Sequence, residues 1–267
     1  MTSIYETFSQ EVALRLKAID ELAASGGLDE AVNLIANSLQ NDGVIQAFGT
    51  GHSAAFAMEM AGRAGGFIPS HRINLDDVAI YGSRPVSEIG TAELERGHEV
   101  ADELWDLYNI SPNDVLLIAS NSGANGSTVG LALRAKQEGI PVIAVTSLEH
   151  SNGVESKHPS GKRLYEVADV AIDNLAPYGD GTIEVADGIN AGPVSSITAA
   201  YIAQLMTLGA ADKLRQAGGL PPMYISANIP TGDAHNIALQ DRYAGRIRSY
   251  VLKAQPDVKA SEGAENK

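Results

Sequence analysis

The sequence predicts an α/β fold: a doubly wound, mostly parallel sheet flanked by helices, with extra helices at both ends of the chain. Three observations carry that expectation. Apolar runs at 44–48 and 115–119 each pass into a Gly/Ser turn and then into a segment of helical period. A third run, 141–146, follows directly after Gly139. That strand–helix–strand spacing is the pattern of a right-handed crossover between parallel strands.

Taken in order, residues 4–24 place Ile4, Phe8, Val12, Leu16, Ile19 and Ala23 on one helical stripe, which Gly26 and Gly27 end. Asp29 is expected to cap a second helix carrying Val32, Ile35 and Leu39, closed by Asn41, Asp42 and Gly43. The strand 44–48, its turn and a small-residue helix at 54–62 follow. Residues 73–75 read as a short strand, and 81–90 as an irregular loop. A long charged helix is expected at 93–108, closed by the turn Ser111, Pro112, Asn113, Asp114. Strand 115–119, helix 126–138 and strands 141–146 and 167–173 come next. A long apolar helix, 195–217, stops at Gly218 and Gly219, and a last helix is expected at 236–252. No linker divides the chain, so 1–254 read as a single domain with a helical N-terminal extension. The polar residues 255–267 read as a disordered tail.

Composition narrows the function. The 267 residues are 44% hydrophobic, ample for a core, and no apolar run is long enough to cross a bilayer. The amino terminus has no basic segment leading into an apolar one, and there is no cysteine. The expected location is the cytoplasm. A net charge of −14 with no Lys/Arg-rich run argues against nucleic acid, which needs clustered cations to displace counterions. An acidic chain that binds an anion must do so locally.

The two Gly/Ser turns are suited to that. Gly49, Thr50, Gly51, His52 and Ser53 form the first, and Ser120, Asn121, Ser122 and Gly123 the second. Each aims backbone N–H groups and hydroxyls at one spot, with the positive end of a helix behind. Both lie at strand carboxyl ends, where ligands bind in such sheets. The same glycines also serve tight packing and capping. A dinucleotide fingerprint is not present, because its third glycine position holds Ala54. There is no Gly-Lys-Ser/Thr of a Walker loop and no Gly-x-Ser-x-Gly nucleophile elbow.

These turns, with the following residues 132–139 and 141–147, resemble the sugar isomerase (SIS) domain over residues 30–175. The resemblance implies a five-stranded parallel sheet and a phosphosugar ligand whose phosphate is held by Ser53, Ser120 and Ser122. Gly51, His52, Asn121, Gly123, Asn125 and Ser127 join the expected binding set. Asn125 stands where the family usually has Ser or Thr, and its amide or Ser127 supplies the missing donor. The run Glu59, Met60, Ala61, Gly62, Arg63 is similar to phosphoheptose isomerases, which carry a catalytic Glu before Gly-Arg on a helix one turn longer. Residues 148–151, 158–165 and 233–236 resemble a little-characterised branch of the family, for which fold and ligand class are implied but no settled reaction.

Aldose–ketose isomerisation needs a base to move a proton alpha to a carbonyl, and a partner that opens the ring. Glu59 is the expected base, with His150 or His235 as partner; His235 is a candidate for donation by a second subunit. Glu59 reads equally as an exposed helix carboxylate, and Lys162 with Arg163 as a solvated turn. No metal or other cofactor is expected, since no His/Asp/Glu cluster has metal spacing. An etherase or lyase acting on an amino-sugar phosphate, and a non-catalytic phosphosugar sensor, are the alternatives. A homodimer is expected from the two long apolar-rich helices 4–24 and 195–217.

Overall fold

Every strand of the main sheet points the same way, so all its carboxyl ends lie on one side. The computed structural model describes residues 3–247. Helix α1 (Ile4–Ala24) opens on a capping box, the Ser3 hydroxyl accepting from the Glu6 N–H at 3.2 Å and the Glu6 carboxylate from the Ser3 N–H at 2.8 Å. Its stripe is only partly covered: Ile19 is buried, while Ile4 is exposed. In α2 (Asp29–Gln40) the cap position is Leu28, and Asp29 is the first helical residue. Its carboxylate acts on the helix dipole rather than as a cap.

Strand β1 (Ile45–Gly49), helix α3 (Ala54–Met60), strand β2 (Ser70–Ile73) and the single turn α4 (Asp77–Ile80) follow. The expected helix 93–108 is two helices, α5 (Ala92–Arg96) and α6 (Val100–Leu107), parted at Gly97. The break makes room for the start of the next helix, where a Cβ on Gly126 would lie 2.2 Å from the Arg96 carbonyl oxygen. Strand β3 (Val115–Ala119), α7 (Gly126–Gln137), β4 (Val142–Thr146), α8 (Leu148–Asn152) and β5 (Val170–Asp173) complete the parallel sheet.

An antiparallel hairpin, β6 (Gly181–Ala186) and β7 (Ile189–Pro193), then leads into the long α9 (Ser195–Gln216). The last described helix, α10 (Gly232–Arg242), begins a turn before the expected 236 and ends well before 252. Asn236 is buried within it and fastens the preceding chain, accepting from the Ile225 N–H at 3.1 Å and donating to the Ile225 carbonyl at 2.9 Å. Residues 248–252 of the expected helix and the tail 255–267 lie outside the described residues. No helix among the described residues is long and apolar enough to cross a membrane.

The strand order is β2-β1-β3-β4-β5, so the chain reverses direction across the sheet between β1 and β3. Strands buried on both faces read as continuous apolar runs. In β3, Leu117 packs with Ile35, Phe56, Ile202 and Met206 on one face, and Leu116 and Ile118 pack with Leu104, Val129 and Leu131 on the other. At the amino ends, Asp114 is buried and accepts from the Val44 N–H at 3.0 Å and the Gln46 amide at 2.9 Å, with Arg246 at 2.5 Å. Between α8 and β5, a strap at 153–163 folds back over the β3 turn, the Lys157 N–H donating to Ala124 O at 2.8 Å and the Leu164 N–H to Gly123 O at 2.8 Å.

Two outcomes follow from these contacts. Removing one partner of a buried ion pair costs about 3–5 kcal/mol, and Asp114→Ala should lose that much in urea unfolding. A loss below about 1 kcal/mol, the scale of a surface pair, would show that Asp114 holds nothing together. In the strap, burial first and then the neighbouring His98 hold His158 below its ordinary value of 6.5. Its Nδ1 accepts from the Ser160 N–H at 3.1 Å, its ring lies edge-on to His98 at 5.5 Å, and Glu99 sits 3.5 Å from His98. A depressed histidine binds its proton more readily in the unfolded chain, so this contribution is present above 6.5 and is lost as pH falls towards the folded midpoint. Melting curves across that interval should slope with pH in the wild type and flatten in His158→Gln. An unchanged slope refutes it.

Candidate functional site

The first turn is shaped by two glycines. A Cβ on Gly49 would lie 2.3 Å from the Ser53 carbonyl oxygen, and Gly51 holds a φ of +53°, so the chain wraps tightly into α3. In the second turn Gly123 has a φ of +58°, and a Cβ there would lie 2.9 Å from Ser151 Oγ and 3.1 Å from Thr146 Oγ1. Ser120 Oγ accepts from the Gly123 N–H at 3.1 Å, and Thr146 Oγ1 donates to Ser120 O at 2.7 Å. The Asn174 amide donates to Asn121 Oδ1 at 3.1 Å, tying the turn to the end of β5.

The two turns meet. Between them runs a narrow cleft with a cavity volume of about 10 Å³, walled by His52, Ser53, Ser120, Asn121, Asn174 and Ser195. Ser122 is half-buried on the same turn, where its Oγ accepts from the Ala124 N–H at 3.4 Å. Helix α9 begins at this cleft, and α7 begins beyond the second turn, outside the cleft walls. The Asp180 carboxylate accepts from the Val194 N–H at 3.1 Å, the Ser195 N–H at 2.9 Å and the Ser195 hydroxyl at 2.6 Å, so the start of α9 already faces an anion. The start of α7 has no side-chain cap, because Asn125 occupies the cap position and points elsewhere.

Asn125 points at a carboxylate that the motifs do not mark. Its Nδ2 donates to Glu95 Oε1 at 2.6 Å, and Thr50 Oγ1 donates to the same oxygen at 2.7 Å. Ser127, fully buried, donates to the Glu95 carbonyl at 2.6 Å, so its hydroxyl faces α5 and not the cleft. Glu95 therefore joins both turns, and Gly51 lies beside its carboxylate. Asn174 and Lys157, which donates to Asn125 Oδ1 at 3.0 Å, are the other residues sequence reading passes over. A strand-end position was the available signal for Asn174; nothing local marks Glu95 or Lys157.

The expected catalytic groups are spread out. Glu59 lies one turn beyond the cleft residue Phe56 on α3, and its Oε1 accepts from Arg63 and from Gln204 of α9. His150 stacks on Tyr178 at 5.1 Å, and its Nδ1 accepts from the Gly179 N–H at 2.9 Å, which leaves the ring proton on Nε2. His235 is on α10, against Met223 O at 2.9 Å. That helix packs with Val44 and Ile68 before the amino ends of β1 and β2, across the sheet from the cleft. Within one chain His235 does not reach the two turns. Arg163 is held by the Val154 carbonyl at 3.0 Å and lies 3.9 Å from Glu166. Among the described residues no group of three or more His, Asp or Glu is placed to hold a metal ion.

Comparison with known proteins agrees with this architecture. The model of the SIS domain matches residues 7–147. The UPF0309 protein lmo0025 of Listeria monocytogenes is 38% identical over 230 residues, spanning 85% of this chain and 92% of that protein. The UPF0309 protein BH0227 of Halalkalibacterium halodurans is 35% identical over 226 residues, spanning 84% and 89%. Among solved structures, the phosphoheptose isomerase GmhA of Neisseria gonorrhoeae superposes with a TM-score of 0.48 at 19% identity, covering 76% of this chain and 98% of that one. With its five parallel strands and its paired turns at the β1 and β3 ends, this chain belongs to the SIS domain family.

Proposed function

We propose that this SIS protein binds a sugar phosphate and interconverts its aldose and ketose forms in the cytoplasm. One observation carries the reading: the turns after β1 and β3 meet across a single cleft at the point where the sheet order reverses, with Ser53 and Ser120 on its walls. Phosphate is the anion suited to backbone donors, hydroxyls and an uncapped helix start. In the proposed reaction Glu59 takes the proton next to the carbonyl and returns it to the neighbouring carbon. Its Oε1 is held by Arg63 and Gln204, which orients the carboxylate on the α3 face below Phe56. His150, with its proton on Nε2, is suited to give a proton to the ring oxygen during opening. His235 serves only if a second subunit brings it to the cleft.

The same reading takes the protein to be a homodimer. Tyr5 and Leu14 on α1, Leu208 on α9, and Val185 and Ile189 on the hairpin are all more than half exposed, which is apolar surface suited to a partner copy. The hairpin, exposed at Glu184–Ala186 and Ile189–Ala191, also gains from such cover.

Two measurements test this. Incubation in deuterated water with a panel of aldose and ketose phosphates, followed by NMR, should show deuterium entering C1 or C2. Glu59→Gln should abolish that exchange and keep binding, while Ser53→Ala and Ser122→Ala should each weaken binding by about 1.5–3 kcal/mol, a hydrogen bond to a charged group. Loss of a ring substituent instead would identify a lyase, and binding with neither change a sensor. Exchange undiminished in Glu59→Gln would move the base to Glu95, the carboxylate that touches both turns. Light scattering at micromolar concentration should give the mass of a dimer; a monomer mass overturns that part.

A further inference from the structure

Leu175, one residue beyond Asn174 of the cleft wall, holds a φ of +59°. Among the described residues only Asp42 and Asp180 besides it take a positive φ without being glycine. Aspartate has a short polar side chain that bonds the nearby backbone in that conformation, and leucine has none, so its Cβ crowds the chain with nothing in return. Such a conformation persists only where its surroundings impose it, and such residues gather at functional sites.

Three contacts impose it. The Leu175 N–H donates to Asp173 Oδ1 at 3.0 Å, and the same oxygen accepts from the Leu148 N–H at 3.2 Å. The Leu175 carbonyl accepts from Arg15 Nε of α1 at 2.9 Å, across 160 residues of sequence. Next along the chain, the Ala176 carbonyl accepts from Ser147 Oγ at 2.6 Å. Arg15 is itself held: its Nη1 donates to the Glu11 carbonyl at 2.9 Å and to the Glu11 carboxylate at 2.5 Å, and its side chain is 16% exposed.

This turn governs how Asn174 meets the cleft. Asn174 is 2% exposed, and its N–H donates to Thr146 O at 2.9 Å. Its Oδ1 accepts from the Ala176 N–H at 3.0 Å, a bond that spans Leu175. With that oxygen occupied, the amide is left to donate, and Nδ2 gives one hydrogen to Asn121 Oδ1 at 3.1 Å. Asn121 is fixed in turn: its oxygen faces Asn174, and no described residue accepts from its Nδ2, on a side chain of the cleft wall. The hydrogens left on the two amides are donors, suited to an oxygen lone pair of a ligand.

We infer that Arg15 is a positioning residue of the cleft. By holding the Leu175 carbonyl it keeps the left-handed turn in place, and the turn fixes the amides of Asn174 and Asn121 as donors to an oxygen of the bound sugar. The use of these donors rests on the sugar-phosphate reading proposed above; the hold of Arg15 on the turn does not. Helix α1 thereby acts on a cleft that none of its own residues lines.

The test compares the wild type, Arg15→Gln, Leu175→Gly and the double variant, with thermal melts to separate lost binding from lost folding. Side-chain amide NMR comes first. In Arg15→Gln the Asn174 and Asn121 signals should move and exchange faster with solvent, while Gln46, bonded to Asp114 at the other end of the sheet, stays put. Titration follows, with the same panel of aldose and ketose phosphates and with inorganic phosphate. Arg15→Gln should weaken sugar-phosphate binding about two- to tenfold, the scale of one neutral hydrogen bond, and leave inorganic phosphate unchanged. In the Leu175→Gly background the same change should cost less than about twofold, because glycine takes a positive φ without strain. Unmoved amides in Arg15→Gln overturn the inference, and so do moved amides with wild-type affinity. An equal cost in both backgrounds also overturns it, since Arg15 then does not act through the turn. No binding of any sugar phosphate by the wild type overturns the reading of the ligand, and the amide spectra alone then decide whether Arg15 holds the turn.

Discussion

The register between β1 and β3 is the constraint on which the rest of the molecule depends. Ile45 pairs with Val115 and Gly49 with Ala119, so the two strands end at the same level and their turns begin side by side. Asp114 enforces this from the other end, one residue before β3, by accepting from the Val44 N–H and from the Gln46 side chain. A slip of one residue would turn every side chain of β3 to the opposite face. It would exchange Leu117 and Ile118 between two differently shaped cores and carry Ser120 out of line with Ser53. One buried carboxylate at the bottom of the sheet thus sets the geometry of a cleft at the top.

The broken helix between β2 and β3 is the second element of the design. A continuous helix over 93–108 would present Glu95 wherever the helical period put it. Parting at Gly97 lets the short α5 turn independently of α6, and it comes to rest with Glu95 between Thr50 and Asn125. The same break admits Gly126 against the Arg96 carbonyl. Helix–helix packing and the joining of the two turns are therefore one event: α7 starts where α5 ends, and the carboxylate of α5 holds the residue before α7.

What the sequence makes legible follows from range. The strands β1, β3 and β4 are short apolar runs, and their turns carry glycines with a local steric need, so both appear without knowledge of the fold. The hairpin had a local signal as well: Asp187 and Gly188 are the two residues between paired Ala186 and Ile189, a dipeptide favoured in tight hairpins. Its strands lack a buried face, so no alternation draws attention to them. Glu95 and Lys157 are different in kind. Their partners are 45 and 32 residues away in sequence, and nothing around them distinguishes one charged side chain from the next. His235 shows the converse, for a histidine in a suggestive local motif sits at the far end of the sheet.

The cleft also has a direction. On its α9 side Asp180 has filled the helix start with negative charge, while the start of α7, outside the cleft walls, is uncapped. A helix start is equivalent to about half a positive charge and acts mainly over its first turn. With the α9 start already neutralised, the donors left to an anion in the cleft are those of the turns after β1 and β3. On the proposed reading this asymmetry orients the ligand. On that same proposal the phosphate goes to the β3 side, and the sugar hydroxyls are left to the linked amides of Asn121 and Asn174 and to Ser195. The helix carrying Glu59 lines that same end through Phe56, while Glu95 stays on the phosphate side. Under that proposal Glu59 takes the proton-transfer role, while Glu95 holds Thr50 and Asn125 in place. Sequence marks only the first of these carboxylates; the second is found through the fold, because its partners Thr50 and Asn125 lie 45 and 30 residues away.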